Sequence, residues 1–110
     1  MIRTVIVGVA VCIGFAAAAA AQDAKVAKGE KVYADQKCSM CHSVADKGNK
    51  KGPLDKVGTK LKADELKTWI VDPKTMTEKT KATRTPAMKA YASLPKDDVD
   101  ALVAYLQTLK

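Results

Sequence analysis

The sequence predicts an all-α fold, and two observations support this prediction. Apolar residues recur at helical spacing in three stretches, and no stretch shows the period-two alternation of a strand. The length of 110 residues is enough for one domain at most. Hydrophobic residues make up 47% of the chain, but they are concentrated in its first 21 residues. The folded domain therefore has a small core, and we expect something other than side chains to help fill its interior.

The first 21 residues have the layout of a secretory signal peptide. Arg3 is their only charge, residues 5–15 form an apolar run, and residues 16–21 are all alanine. We expect residues 1–21 to be removed and residues 22–110 to form the mature domain. A retained membrane anchor is the weaker interpretation, because the apolar stretch is short and ends in alanines. No stable membrane span is therefore expected after processing.

The export prediction places the mature chain outside the cytoplasm, where disulfides persist. Cys12 lies within the apolar run and would be discarded with it, which leaves Cys38 and Cys41. These two cysteines must be explained as a disulfide, a metal site or a cofactor attachment.

The first helix of the mature domain is predicted at residues 23–37. Asp23 is its expected N-cap. Its apolar face combines Val26, Gly29, Val32 and Tyr33. Residues 43–58 are interrupted by glycines and a proline, so they are predicted to be a loop.

A short amphipathic helix is predicted at residues 63–71, because Leu66, Trp69 and Ile70 share one face and Pro73 follows its end. Residues 74–86 hold five threonines and no apolar periodicity. They are predicted to be a loop that covers a functional site.

The last helix has the clearest pattern. It starts at Pro95, and its first turn carries acidic residues that favour a helix N-terminus. Its apolar face comprises Val99, Leu102, Val103, Leu106 and Leu109.

Residues 38–42 read Cys-Ser-Met-Cys-His, and this pentapeptide carries the chemistry. Two cysteines separated by two residues and followed at once by histidine are the attachment signature for c-type haem. The thiols of Cys38 and Cys41 can add to two vinyl groups on one edge of the porphyrin, while the imidazole of His42 bonds the iron. The motif thus predicts one covalently bound haem c.

Other interpretations of the pentapeptide are weaker. A structural zinc site needs about four ligands, and the mature chain has no second cysteine or histidine pair to complete one. A thioredoxin-like redox pair expects a preceding strand, whereas a helix is predicted here. A disulfide between Cys38 and Cys41 would close too short a loop to add much stability.

In these features the chain resembles the small class I cytochromes c of bacteria. The resemblance covers the whole mature segment: the first helix with Gly29 and Tyr33, the pentapeptide, Gly52-Pro53-Leu54, the Trp69 helix, Pro86-Ala87-Met88 and the last helix. It implies a fold of three to five helices wrapped around one haem, an electron carrier rather than an enzyme, and a periplasmic location.

The sixth iron ligand can be narrowed by elimination. His42 is the only histidine, so a second histidine ligand is excluded within one chain, and methionine is the strongest remaining candidate. Met1 leaves with the signal peptide, and Met40 lies between the attached cysteines, which leaves Met76 and Met88. The resemblance favours Met88, because the family's ligand methionine lies near a proline shortly before the last helix. Met76 is the second choice.

The resemblance also implies roles around the iron ligands. The carbonyl of Pro53 is the family's usual acceptor for the second ring N–H of the histidine ligand. The indole N–H of Trp69 either reaches a haem propionate or is simply buried beside the ring. Gly29 is expected to let the first helix approach the last one closely, with Tyr105 as its neighbour.

A haem ligated by histidine and methionine has no free coordination position, so the predicted function is one-electron transfer. Two alternatives stay open. One is a haem enzyme, or a gas or redox sensor, whose sixth ligand can be displaced. The other is an electron-transfer subunit of a larger oxidoreductase.

Charge indicates the kind of partner. The chain has a formal net charge of +7, and two basic stretches are predicted to rim the cofactor. They comprise Lys47, Lys50, Lys51, Lys56 and Lys60, and Lys74, Lys79, Lys81, Arg84 and Lys89. Such a rim would steer encounter with acidic patches on redox proteins, a terminal oxidase or a dehydrogenase among them. The alternative interpretation of these basic residues is a solvated surface that keeps the protein soluble. A monomer is expected, and nucleic-acid binding is not.

Overall fold

The computed structural model describes residue 8 and residues 13–110. Most of the predicted signal peptide, Cys12 included, lies outside these residues. The described chain is mostly helical, with one short hairpin, in agreement with the predicted fold class. In chain order its elements are α1 (Ile13–Asp35), a 3-10 turn (Cys38–Met40), β1 (Ser43–Val44), β2 (Lys47–Gly48), α2 (Val57–Lys60), α3 (Ala63–Val71), α4 (Pro73–Thr80) and α5 (Lys96–Gln107).

The crossing of α1 and α5 forms the centre of the fold. A Cβ atom added at Gly29 would lie 2.7 Å from Cβ of Tyr105 and would collide with the carbonyl group of Ala101. The rings of Tyr33 and Tyr105 meet edge to face beside this contact, with 5.6 Å between their centroids. The predicted close approach at Gly29, with Tyr105 as the neighbour, is confirmed.

Helix α1 begins earlier than predicted. It runs through the alanines at 16–21, and Asp23 is an exposed residue within the helix, so its assignment as the N-cap is wrong for the full chain. The physical reason is that alanine has the highest helix propensity, so nothing in that run ends the helix. Among the described residues no helix is both long and apolar enough to cross a membrane.

Helix α5 fits its prediction and is buried on more than one face. Val99, Leu102, Val103 and Leu106 are buried as expected, and Leu109 packs half-buried beyond the helix end. Ala101 and Ala104 are also buried, because α1 packs on a second side of the helix. Helix α3 has the predicted bounds and buries Leu66 and Ile70 against α5.

The two segments predicted to be loops, residues 74–86 and residues 43–58, both contain regular structure. The first half of segment 74–86 belongs to α4, and Pro73, expected only to end α3, is the first residue of this helix. The side chain of Asp72 caps α4 by accepting hydrogen bonds from the backbone N–H and the hydroxyl of Thr75. The helix lacks apolar periodicity because it is only eight residues long and buries just Pro73 and Met76.

Residues 43–58, predicted to be a loop, contain the β1–β2 hairpin and the first two residues of α2. Gly48 has φ of +106°, a conformation that favours glycine. Asp55 stabilises the hairpin turn by accepting a 2.7 Å hydrogen bond from the backbone N–H of Ala45. These elements are too short to produce a periodic pattern in the sequence.

Candidate haem-attachment site

The first cysteine of the pentapeptide, Cys38, begins the 3-10 turn, and the second, Cys41, caps its end. Lys37 is the residue that precedes the turn. Its φ of 56° lies in the left-handed region, so the chain changes direction between α1 and the turn. The N–H groups of Cys41 and His42 both donate to the carbonyl of Cys38, at 3.1 and 2.9 Å. Side chains three residues apart eclipse on such a turn, so the thiols of Cys38 and Cys41 project toward the same side. Both thiols are free.

Asn49, from the segment after β2, fastens the turn from one side. Its backbone N–H is shared between the carbonyls of Ser39 and His42, at 3.0 Å each. Its side-chain amide donates to the carbonyl of Met40 at 3.2 Å. One residue therefore satisfies three carbonyl groups of the pentapeptide. The sequence prediction did not include Asn49.

His42 is held by a hydrogen bond from Nδ1 to the carbonyl of Gly52, at 3.0 Å. The expectation that the carbonyl of Pro53 accepts this bond is wrong, and the neighbouring carbonyl takes its place. The reason lies in the bridge between β1 and residues 52–54: Ser43 donates to the Gly52 carbonyl and accepts from the N–H of Leu54. This bridge turns the Gly52 carbonyl toward His42, and successive carbonyls of extended backbone point in opposite directions.

The environment of His42 favours its neutral form. Burial is the main cause that lowers its pKa, and the positive charge of Arg84 lowers it further, against the opposing effect of the Gly52 carbonyl. With Nδ1 donating its proton to Gly52, Nε2 carries the free lone pair. A neutral imidazole with an unprotonated Nε2 is the form that binds a metal.

Cys38 and Cys41 differ in their surroundings. Cys38 is half-buried, and burial raises the pKa of its thiol to about 11. Cys41 is exposed. Cys38 is therefore a protonated thiol at neutral pH.

Arg84 contacts the pentapeptide from the opposite side to Asn49. Its guanidinium donates a hydrogen bond to the carbonyl of Cys41 at 2.5 Å. The guanidinium also packs against Gly52, where a Cβ atom would collide with it. The sequence predicts Arg84 only as one of ten basic residues that rim the cofactor. One signal could have singled it out: apart from Arg3, every other basic residue is lysine.

The other candidate residues lie on α3, on α4 and on the segment that follows. Trp69 on α3 is half-buried, Met76 on α4 is buried at 4% exposure, and Met88 is half-buried on the irregular segment 82–95. The N–H of Tyr91 donates to the carbonyl of Ile70 at 2.8 Å, which ties the Met88 segment to α3.

Tyr91 was not among the predicted site residues. Burial, and then the nearby thiols of Cys38 and Cys41, raise the pKa of its phenol. Its side chain therefore lies within electrostatic range of both cysteines, and segment 82–95 runs close to the pentapeptide.

These donors fit a covalently attached haem. Two thiols project from one turn, the adjacent imidazole has Nε2 free and its orientation fixed, and a methionine-bearing segment lies close by.

Comparison with known proteins also indicates a haem protein. The family model for Cytochrome c matches residues 26–110. Subunit 2 of the cytochrome c oxidase of Alkalihalophilus pseudofirmus is 28% identical over 92 residues, covering 76% of this chain and 25% of that protein. The chain thus spans about a quarter of the length of that curated relative. No solved structure matches. Since the family model covers well over half of its residues, the chain belongs to the cytochrome c family of haem-binding electron-transfer proteins.

Proposed function

We propose that the protein is a periplasmic c-type cytochrome with a single haem that carries one electron at a time between redox proteins. In this proposal Cys38 and Cys41 attach the haem, and His42 and Met88 ligate its iron. The observation that carries the proposal is the oriented, neutral imidazole of His42 next to two thiols on one turn. The bound haem supplies a one-electron ferric–ferrous couple.

The side chains of this chain have distinct tasks in such a carrier. Cys38 and Cys41 hold the haem edge at the turn. The Nδ1–H of His42 donates a hydrogen bond to the carbonyl of Gly52, which would keep Nε2 oriented toward a bound iron. In this proposal the indole N–H of Trp69 donates to a haem propionate.

The difference in burial between two methionines supports Met88 as the sixth ligand. The side chain of Met76 is enclosed by protein atoms, with 4% of its surface exposed, so its sulfur has the role of core filler. Met88 is half-buried on an irregular segment and keeps surface available for a ligand. If His42 and Met88 both ligate the iron, they would leave no free position for oxygen or peroxide, which favours a carrier over an enzyme.

Substitution of each methionine tests the ligand. We expect Met88→Ala to abolish the methionine–iron charge-transfer absorption of the ferric protein and to allow rapid binding of carbon monoxide to the ferrous protein. The matched control, Met76→Ala, should keep the absorption and lose about 2–5 kcal/mol of stability, as buried methionines do. If instead the absorption disappears in Met76→Ala and persists in Met88→Ala, Met76 is the ligand.

The mass of the exported protein tests the remaining assignments. We expect loss of residues 1–21 and the added mass of one haem. A mass that retains residues 1–21 would argue for an anchored protein, and an apoprotein mass would refute the attachment by Cys38 and Cys41.

A terminal oxidase is the partner that we propose, since the related protein from Alkalihalophilus pseudofirmus is named as an oxidase subunit. The exposed lysines beside the pentapeptide, Lys47, Lys50 and Lys51, would meet an acidic patch on the partner. Exchange of Lys50 and Lys51 for glutamine should slow the second-order reaction with the oxidase and reduce its dependence on salt. The same exchange at Lys25 and Lys31, exposed on α1, should leave both unchanged; equal effects would indicate net charge rather than a docking surface.

A further inference from the structure

The segment that carries Met88 is fastened to the rest of the protein at few places. Within the described chain, its start is held by a hydrogen bond from the N–H of Ala82 to the carbonyl of Thr77. Its later part is held by the N–H of Tyr91, which donates to the carbonyl of Ile70. Between these two points lie eight residues, Met88 among them.

Arg84 supplies the hydrogen bond that fastens this intervening stretch. Its guanidinium reaches the carbonyl of Cys41, 43 positions earlier in the chain, on the haem-attachment turn itself. Met88 follows only four residues later, and Pro86 between them has a fixed φ that limits the freedom of the link. The stretch that carries the proposed sixth ligand is therefore tied to the turn that carries the fifth.

The surroundings of Arg84 are shaped for this contact. Gly52 leaves the space that one guanidinium nitrogen fills, since a Cβ atom at this position would collide with it and with the Cys41 carbonyl. The Cys41 carbonyl receives its hydrogen bond from Arg84, whereas the carbonyls of Ser39, Met40 and His42 receive theirs from Asn49. A planar guanidinium presents several donors in a fixed fork, which a lysine ammonium does not.

We propose that Arg84 is a positioning residue that holds the Met88 sulfur at the iron by tying the Met88 segment to the Cys41 carbonyl. The inference rests on the proposed function, in which Met88 is the sixth ligand. Loss of the guanidinium leaves the fold intact but lets the segment move away from the turn. An external ligand then replaces the methionine more easily.

The test is titration of the ferric haem protein with imidazole, followed by the loss of the methionine–iron charge-transfer absorption. We expect imidazole to bind about fivefold tighter to Arg84→Gln than to the natural protein, the effect of losing one solvent-exposed, charge-assisted hydrogen bond. Arg84→Lys keeps the charge but shortens the reach, and we expect a change of about twofold. The control Lys67→Gln makes the same change of charge at an exposed site on α3 and should bind imidazole like the natural protein.

Amide hydrogen exchange over residues 83–90 is the second measurement. It should quicken in Arg84→Gln and not in Lys67→Gln. Two results would overturn the proposal: Arg84→Gln behaving like Lys67→Gln in both measurements, or Arg84→Lys matching the natural protein in both, since charge alone would then suffice.

Met88→Ala, measured in parallel, separates this inference from the proposed function. If that variant keeps the charge-transfer absorption, the ligand assignment fails. The exchange measurement still decides whether Arg84 fastens the segment.

Discussion

Gly29→Ala tests whether the α1–α5 crossing depends on the direct approach of two backbones. The added Cβ would lie 2.7 Å from Cβ of Tyr105 and would overlap the carbonyl of Ala101, a residue with 0% exposure. Carbon atoms attract each other best at about 3.5–4.0 Å, so the helices must separate by about 1 Å. The carbonyl cannot rotate away, which places the cost at about 3 kcal/mol, the upper end for overpacking.

The helix propensity of alanine returns about 1 kcal/mol of this cost, which leaves a net loss of about 2 kcal/mol. The assay is guanidinium unfolding of the haem protein, followed by circular dichroism. Ala27→Gly, at an exposed position of the same helix, is the control and should cost about 1 kcal/mol from propensity alone. If Gly29→Ala is as stable as the natural protein or more stable, the crossing tolerates a side chain and the close-contact argument is wrong.

Three further substitutions test the hydrogen bonds of the fold by the same unfolding assay. Asn49→Ala removes the amide donor to the Met40 carbonyl and should cost about 1 kcal/mol, whereas an unchanged stability would show that the backbone contacts of Asn49 suffice. Tyr33→Phe removes a buried hydroxyl that lacks a hydrogen-bond partner in the described chain, and should stabilise the protein by about 1 kcal/mol. Burial raises the pKa of Tyr33 to about 12 from the ordinary 10, so the natural protein should lose stability relative to Tyr33→Phe as pH rises from 10 to 12, and parallel pH curves would contradict this. Asp72→Ala removes the cap on Thr75 and should cost about 1 kcal/mol, with faster amide exchange in α4 as the accompanying sign.

The sequence patterns predicted those parts of the fold in which several apolar residues act together. Helix α3 has the predicted bounds, and Gly29 meets Tyr105 as expected. The sequence does not predict helix α4, because only Pro73 and Met76 of this helix are buried. Two apolar residues are too few to produce a helical repeat in the sequence. Helix α1 starts before Asp23, the predicted N-cap, because the alanines that precede this residue continue the helix.

For the candidate site, the sequence predicts donor residues but not the atoms that orient their side chains in the structure. The pentapeptide motif is a local pattern, so Cys38, Cys41 and His42 could be read from spacing alone. The acceptor for His42 depends on the register between β1 and residues 52–54, and one position separates the Gly52 carbonyl from that of Pro53. Likewise, the contact of Arg84 with Cys41 joins residues 43 positions apart, and nothing local encodes it.

The attachment turn is held by hydrogen bonds rather than by burial, and this explains how a small core can support a rigid site. None of the residues of the 3-10 turn is buried. Each carbonyl of the pentapeptide nevertheless has a donor, from the turn itself, from Asn49 or from Arg84. A turn restrained at every carbonyl would change little if a bound haem gained or lost one electron, as the proposed function requires. The hydrogen bonds supply locally the rigidity that a larger core supplies in larger proteins, so loss of Asn49 or Arg84 should affect the proposed iron ligands more than the helices.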